Sequence, residues 1–565
     1  MDFVLALHGH LPYVLHHGRW PHGSVWLSEG ALDSYLPLIE ALQSLEREHI
    51  PAPITLGITP ILANQLSHPS FVSEFEAYMA RRLETAAQAP ASLAASGDSS
   101  LVPLARFWQQ HLERLHALFR SLNGDLIGAF RGFEARGVIE VMSSAATHGF
   151  LPLLARDESI RLQLAVGVME HRRLFGRAPT GCWLPECAYR PAGPWSPGYG
   201  GTPSAYRAGI DEHLAAAGYR YFFVDSHLVR AGPALGYPYP QEIGEAKGRS
   251  PYTAYRVASK AGKAHDLFAL VRDPRSSGQV WSRAEGYPGD EWYLEFHKIR
   301  WPDGLRLWRV TGAQTDLGDK RRYEPEAAQN SARTHAAHFA RVLHDTAMQR
   351  KKGVVAAPFD AELFGHWWFE GVDFLTNVYR ALASDGVRPV TARQHIAAAA
   401  KQGAKAAPAI QLTEGSWGKD GNFSMWLNDQ TAWTWHRLWA LEESYWAVAR
   451  QALAGDDKRK AVLAQATRSM LLAQASDWQF IISTGEAGDY ATQRFDEHCA
   501  QAEDLIRALG SKPEIDEATM QRVEALAVQD SVFPNVLQAI EAAGSPSGAP
   551  KEPVTIDSVR ITEAD

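Results

Sequence analysis

Up to about residue 400 the chain alternates short apolar or β-branched runs with longer amphipathic stretches. The runs at 3–7, 54–58, 138–142, 219–224 and 354–359 are mostly apolar or β-branched, and a helix-length amphipathic stretch at 32–45 follows the first. Strands alternating with helices predict a parallel sheet. Because these strands have no polar face, both of their sides must be covered, either by two helical layers or by closure into a barrel. Polar residues gather where the runs end: His8 and His10 after the first, His148 soon after 138–142, Glu186 after 181–184, Asp225 after 221–224 and Asp360 after 354–359. In a barrel that edge is the active-site face.

Elsewhere the pattern changes. Residues 67–123 turn helical, with Ala86-Ala87-Gln88-Ala89-Pro90-Ala91-Ser92 read as a flexible joint inside an insertion. Residues 230–262 are rich in Gly and Pro without clear periodicity, as lids and binding loops often are. Beyond 405 the period becomes helical, at 431–453, 460–472 and 492–509. The expected division is a discontinuous catalytic β/α unit at 1–66 and 124–404, a helical insertion at 67–123, an α-helical domain at 405–543 and a flexible tail at 544–565.

Composition narrows the function classes. Hydrophobic residues make up 45% of the 565 positions, enough for a large core and more than one folding unit. Lys plus Arg number 56 against 64 Asp plus Glu, a net charge of −8, which argues against nucleic acid and favours a neutral, polar substrate. The stretch from Met1 to His8 has neither a basic lead nor a membrane-length apolar segment, so the sequence predicts no signal peptide and no membrane span. Three cysteines, Cys182, Cys187 and Cys499, form no disulfide framework or zinc motif, which suits the cytoplasm. Several of the 18 tryptophans stand in polar, glycine-rich contexts, where exposed stacking surfaces are expected.

The candidate chemistry lies in a few strings. In Trp183-Leu184-Pro185-Glu186-Cys187-Ala188-Tyr189 and Phe359-Asp360-Ala361-Glu362-Leu363-Phe364-Gly365-His366-Trp367-Trp368, carboxylates sit among rings directly after an apolar run. One carboxylate held ionised and a second kept protonated is what chemistry on a glycosidic bond requires, and rings suit sugar faces. Glu186 after Pro185 is the candidate nucleophile. Apolar surroundings would raise Asp360 toward a general acid, but Glu362 shares its face if the backbone stays extended, and spacing does not choose between them. His366 could orient either one. His8 and His10 fall on one strand face, facing the mouth, where imidazoles suit sugar hydroxyls or, alternatively, a metal pair. Trp281, Trp417 and Trp426 lie where loops are expected, as stacking platforms or as interdomain packing.

Together with His8-Gly9-His10-Leu11-Pro12-Tyr13, Gly57-Ile58-Thr59-Pro60 and Ser476-Asp477-Trp478-Gln479-Phe480, these strings resemble glycoside hydrolase family 57, most closely its 1,4-α-glucan branching enzymes. The resemblance implies an incomplete seven-stranded β/α barrel, a small helical insertion and a helical C-terminal domain closing a glucan groove. It implies a retaining double displacement with Glu186 as nucleophile and Asp360 as acid/base, their carboxyl groups roughly 5–5.5 Å apart. His10, Trp281, Trp417 and Trp426 match substrate-contacting positions; Asp477 and His148 are further candidates, and Tyr237 or Tyr239 could be the tyrosine that a mobile loop carries over the site. No metal or cofactor is implied, the substrate is an α-1,4-glucan, and a monomer is favoured. An α-amylase-like hydrolase on the same scaffold is the alternative. A metal-dependent deacetylase or hydrolase using His8 and His10, and a non-catalytic glucan-binding protein, are readings from other classes.

Overall fold

The computed structural model describes residues 1–198, 204–232, 248–260, 262, 264–281, 286–301, 304–312, 314–383, 386–403, 407–511 and 514–544. Eight strands carry the main sheet: β1 (Asp2–Gly9), β2 (Ile54–Ile58), β3 (Glu140–Ser144), β4 (Gly181–Trp183), β5 (Tyr221–Val224), β6 (Tyr255–Ala258), β7 (Ala264–Val271) and β8 (Val354–Asp360). Their spatial order is β8-β1-β2-β3-β4-β5-β7-β6, and two two-residue strands bring the sheet to ten, Arg388–Pro389 beside β1 and Ala409–Ile410 beside β6. From β8 to β7 all seven neighbours run parallel, and only β6 is antiparallel. The sheet curls until the end of β7 meets β8 at a single bridge, Arg272 with Ala356, where the Asp273 N–H donates to the Ala356 carbonyl at 2.9 Å. This is the incomplete barrel expected from the sequence.

The two-residue period divides the core. Phe3, Leu5 and Leu7 of β1 pack outward under the helices, whereas Val4 and Ala6 join Met142, Trp183, Phe223, Leu270 and Ala356 in a separate interior cluster. Val390, Ala392 and Ile396, from the residues leading into helix Ala392–Gln402 and from that helix, belong to the same cluster and plug the N-terminal end. Continuing the interior parity to the C-terminal ends of the strands leads to His8, Asp360 and, one residue past β7, Arg272. The barrel is therefore filled below and open only at its C-terminal mouth.

Two long helices, Pro69–Ala95 and Val102–Ser121, stand between β2 and β3. The expected joint at 86–92 is helical, because Ala86, Ala89 and Leu93 bury one continuous stripe that holds the helix together past Pro90. Helices Ala432–Leu453, Asp457–Ala473 and Gly488–Ser511 pack on one another. They are tied to the mouth where the Ser476 N–H donates to the His148 carbonyl at 3.2 Å and where Trp439 Nε1 donates to the Leu153 carbonyl at 2.8 Å. Among the described residues no helix is long and apolar enough to cross a membrane.

Of the 230–262 segment, residues 255–258 are strand β6. Tyr255 is buried and exchanges hydrogen bonds with Ser250, and Arg350 lies over the Tyr252 ring. Tyr237 and Tyr239 fall outside the described residues, as does the tail from 545 onward.

Candidate active site

The mouth holds a cavity of about 700 Å³ lined by His8, His10, His148, Glu186, Asp360 and Glu362, with Trp281, Trp417, Trp426 and Asp477 on the facing walls. Residues from both ends of the sequence meet here because parallel strands deliver all their C-termini to one edge.

Glu186 follows β4 in a tight turn with φ 58° and ψ 20°, a left-handed conformation that costs a non-glycine residue about 1–3 kcal/mol. Neighbours hold it there. Trp417 donates twice, from its backbone N–H to the Glu186 carbonyl at 3.0 Å and from Nε1 to Oε2 at 2.9 Å. Ser476 Oγ lies 3.1 Å from Oε1. Burial pushes the Glu186 carboxyl up to about 7; the Trp417 and Ser476 bonds and nearby His10 oppose that rise, and Asp477 adds to it. The sequence expected one carboxylate held ionised; at Glu186 burial works against that and the two hydrogen bonds work for it.

Asp360 is the last residue of β8, opposite His8 in the β1 register. Burial, then the neighbouring charges of Glu362 and Glu186, raise it well above the usual carboxylate range against the pull of Arg272. Both carboxyls are thus raised above the usual carboxylate range, Glu186 opposed by hydrogen bonds from Trp417 and Ser476 and Asp360 opposed by the charge of Arg272.

The extended backbone stops at Asp360. Glu362 lies in the following turn, Ala361–Leu363, where its Oε1 accepts from Tyr35 Oη and from the His10 backbone N–H at 3.1 Å. It fastens the β1 end to the β8 end. His366 orients neither carboxylate: its Nδ1 meets Asp33 Oδ2 at 3.0 Å and its backbone N–H donates to Ser34 Oγ, because the chain turns away at Gly365, φ 104°, where a Cβ would strike the Asp33 carbonyl at 1.8 Å.

The histidines form a ladder. His8 lies flat on Trp183, with centroids 4.4 Å apart, and its Nε2 is 3.0 Å from His148 Nε2; the His148 ring in turn stacks on His10 at 4.1 Å. Burial and the neighbouring imidazoles push His8 and His148 well below the usual range. Burial opposes charge on His10 too, but Asp477, 2.9 Å from Nε2, together with Glu362 and Glu186 raises it. Among the described residues no group of three or more His, Cys, Asp or Glu is arranged to hold a metal ion.

The tryptophans differ from expectation in setting. Trp281 ends helix Pro274–Trp281 instead of lying in a loop. Trp417 sits in a loop as expected, edge-on to Trp183 and Trp281. Trp426 is not an exposed platform: it is 1% exposed and packed on Phe150, and only part of its surface meets the cavity. Sequence reasoning missed Arg272, whose guanidinium lies over both Trp281 and Trp417 and 3.6 Å from Asp225. The rule that flagged Asp360 would have found it, since Arg272 ends the apolar run of β7. Phe296, Trp367 and Phe480, which add rings to the rim, were missed as well.

A β/α barrel that brings two carboxyls, both raised above the usual range, into a ring-lined mouth defines an enzyme class that works on carbohydrate. The chain belongs to glycosyl hydrolase family 57: that family's profile matches residues 4–410, and the profile of the 1,4-alpha-glucan branching enzyme C-terminal region matches residues 437–540. It is 36% identical to a 1,4-alpha-glucan branching enzyme of Thermococcus kodakarensis, over 94% of this chain and 77% of that one. The crystal structure of a family 57 branching enzyme from the same archaeon, in complex with glucose, superposes with a TM-score of 0.86 at 34% identity, covering 95% and 96% of the two chains. The alpha-amylase AmyC of Thermotoga maritima superposes at 0.78 and 28% identity, covering 95% and 98%.

Proposed function

We propose that this chain is a 1,4-alpha-glucan branching enzyme in which Glu186 is the nucleophile and Asp360 the acid/base. The observation that supports the residue roles is the pair of carboxyls brought to one ring-lined cavity, Glu186 held by hydrogen bonds from Trp417 and Ser476 and Asp360 at the end of β8 with its carboxyl raised by burial. A Glu186 oxygen attacks C1 of the donor glucosyl unit while the C1–O4 bond breaks and the Asp360 proton passes to the departing O4. The chain remains bound to Glu186 as a glycosyl ester. Asp360, now ionised, takes the proton of an acceptor 6-hydroxyl as that oxygen bonds to C1 and Glu186 leaves. Two inversions retain the anomeric configuration. His10 and Asp477 offer donors and acceptors to sugar hydroxyls, and Trp281, Trp417 and Trp426 form walls for sugar faces. The barrel of 1–66 and 124–404, the 67–123 insertion and the helical 405–543 are the working units of this cytoplasmic enzyme, with an α-1,4-glucan as substrate.

The test is product analysis on amylose. An α-1,6 anomeric proton signal without a matching rise in reducing ends is expected from the parent protein, and a loss of more than about a thousandfold from Glu186→Gln and Asp360→Asn. The likeness to the alpha-amylase supports the second reading, hydrolysis; new reducing ends alone would establish it and overturn branching. Activity insensitive to chelators is expected and separates both readings from a metal-dependent hydrolase.

A further inference from the structure

From Glu186 a row of buried polar side chains runs along one wall of the cavity. Ser476 Oγ is 3.1 Å from Glu186 Oε1 and 2.9 Å from His148 Nδ1, and His148 Nε2 is 3.0 Å from His8 Nε2. His8, His148 and Ser476 are each at most 3% exposed, and His8 Nδ1 has no hydrogen-bond partner. Such a row admits two proton arrangements. With Glu186 ionised, the carboxylate accepts from the Ser476 hydroxyl, Ser476 Oγ accepts from His148 Nδ1–H, and His148 Nε2 accepts from His8 Nε2–H, leaving a bare acceptor at His8 Nδ1. With Oε1 protonated, every bond reverses and His8 must carry an N–H at Nδ1, a buried donor with no partner. Orphaned buried donors are the rarer and costlier case. Oε2 is meanwhile committed to Trp417 Nε1.

We propose that His8, His148 and Ser476 form a one-way hydrogen-bond wire that positions Glu186 and biases it toward the ionised, nucleophilic form. The three are positioning residues that act through Glu186. The wire rests on the assignment of Glu186 as nucleophile, and the experiment separates the two. Glu186→Gln, Ser476→Ala, Ser476→Thr and His148→Ala are compared for kcat and KM on amylose across pH, with thermal melting as the fold control.

Loss of one hydrogen bond to a charged acceptor predicts that Ser476→Ala lowers kcat about 10- to 100-fold with KM nearly unchanged and moves the acid limb of the profile up by about 1–2 pH units. Ser476→Thr, which keeps the hydroxyl, restores the limb. His148→Ala shifts it in the same direction by less, and serves as the second probe if Ser476→Ala melts at assay temperature. An unmoved acid limb in both alanine variants overturns the wire, as does a rise in KM without a fall in kcat in His148→Ala, which would make His148 a substrate contact. An active Glu186→Gln would instead overturn the nucleophile assignment.

Discussion

Trp417→Phe removes the indole N–H donor and leaves a smaller aromatic ring. The indole Nε1–H that donates to Glu186 Oε2 at 2.9 Å is lost, while a phenyl ring still fills the space against Trp183 and Trp281. A hydrogen bond to a charged group contributes about 1.5–3 kcal/mol, equivalent to about 1–2 pK units. The bond favours the ionised carboxylate, so its loss raises the Glu186 pKa from about 7. Catalysis needs that carboxylate ionised, so the acid limb of kcat/KM moves to higher pH. Below the original limb the variant loses about 10- to 100-fold, and the deficit narrows as pH rises past the new limb. Initial rates of amylose branching, followed by the fall in iodine absorbance between pH 5 and 9, read this directly. A uniform loss at every pH would refute the reasoning, since it would mean that the indole supports sugar binding alone.

Two further outcomes follow from other parts of the structure. Glu370 is buried, with Oε1 accepting from Tyr323 Oη and the Leu294 N–H while Oε2 has no partner; burial pushes it up to about 8 against those bonds. Its proton is held more tightly in the folded than in the unfolded state, so its stabilising contribution is complete below the unfolded pKa near 4.5 and is lost as pH rises through about 8, a span of roughly 3–5 kcal/mol. Glu370→Gln should therefore narrow the difference in melting temperature between pH 5 and 9, and an unchanged difference would contradict the assignment. At Gly418 an added Cβ would lie 2.6 Å from the Trp426 ring, so Gly418→Ala should displace that wall of the cavity and raise KM for amylose several-fold with little change in kcat. Equal kinetics for variant and parent would show that the wall yields without consequence.

The sequence by itself determined what period and order can carry. Unbroken apolar runs such as those of β1 and β8 have no polar face to show water, so they had to form covered parallel strands with His8 and Asp360 at their C-terminal ends. The strings around Glu186 and Asp360 placed the chain in its family by their resemblance to its motifs, and period and order put them at the edge where a barrel does its chemistry. Only the tertiary structure decided how those residues act on one another. Glu362 and Asp360 are two positions apart, yet the strand ends between them, so one faces the cavity as a buried acid and the other fastens two strand ends through Tyr35. Trp426 lies where a loop is expected, and the sequence left it as a stacking platform or as interdomain packing; its burial depends on Phe150, which lies far away in the chain. The joint at 86–92 is a helix for a similar reason: alanine favours helix, and packing of the stripe of Ala86, Ala89 and Leu93 outweighs the break that Pro90 would make. Most of all, the proton affinity of Glu186 depends on Trp417 and Ser476, more than 200 residues away, and neither a period nor a motif encodes a distance of 2.9 or 3.1 Å between atoms that meet only when the chain has folded.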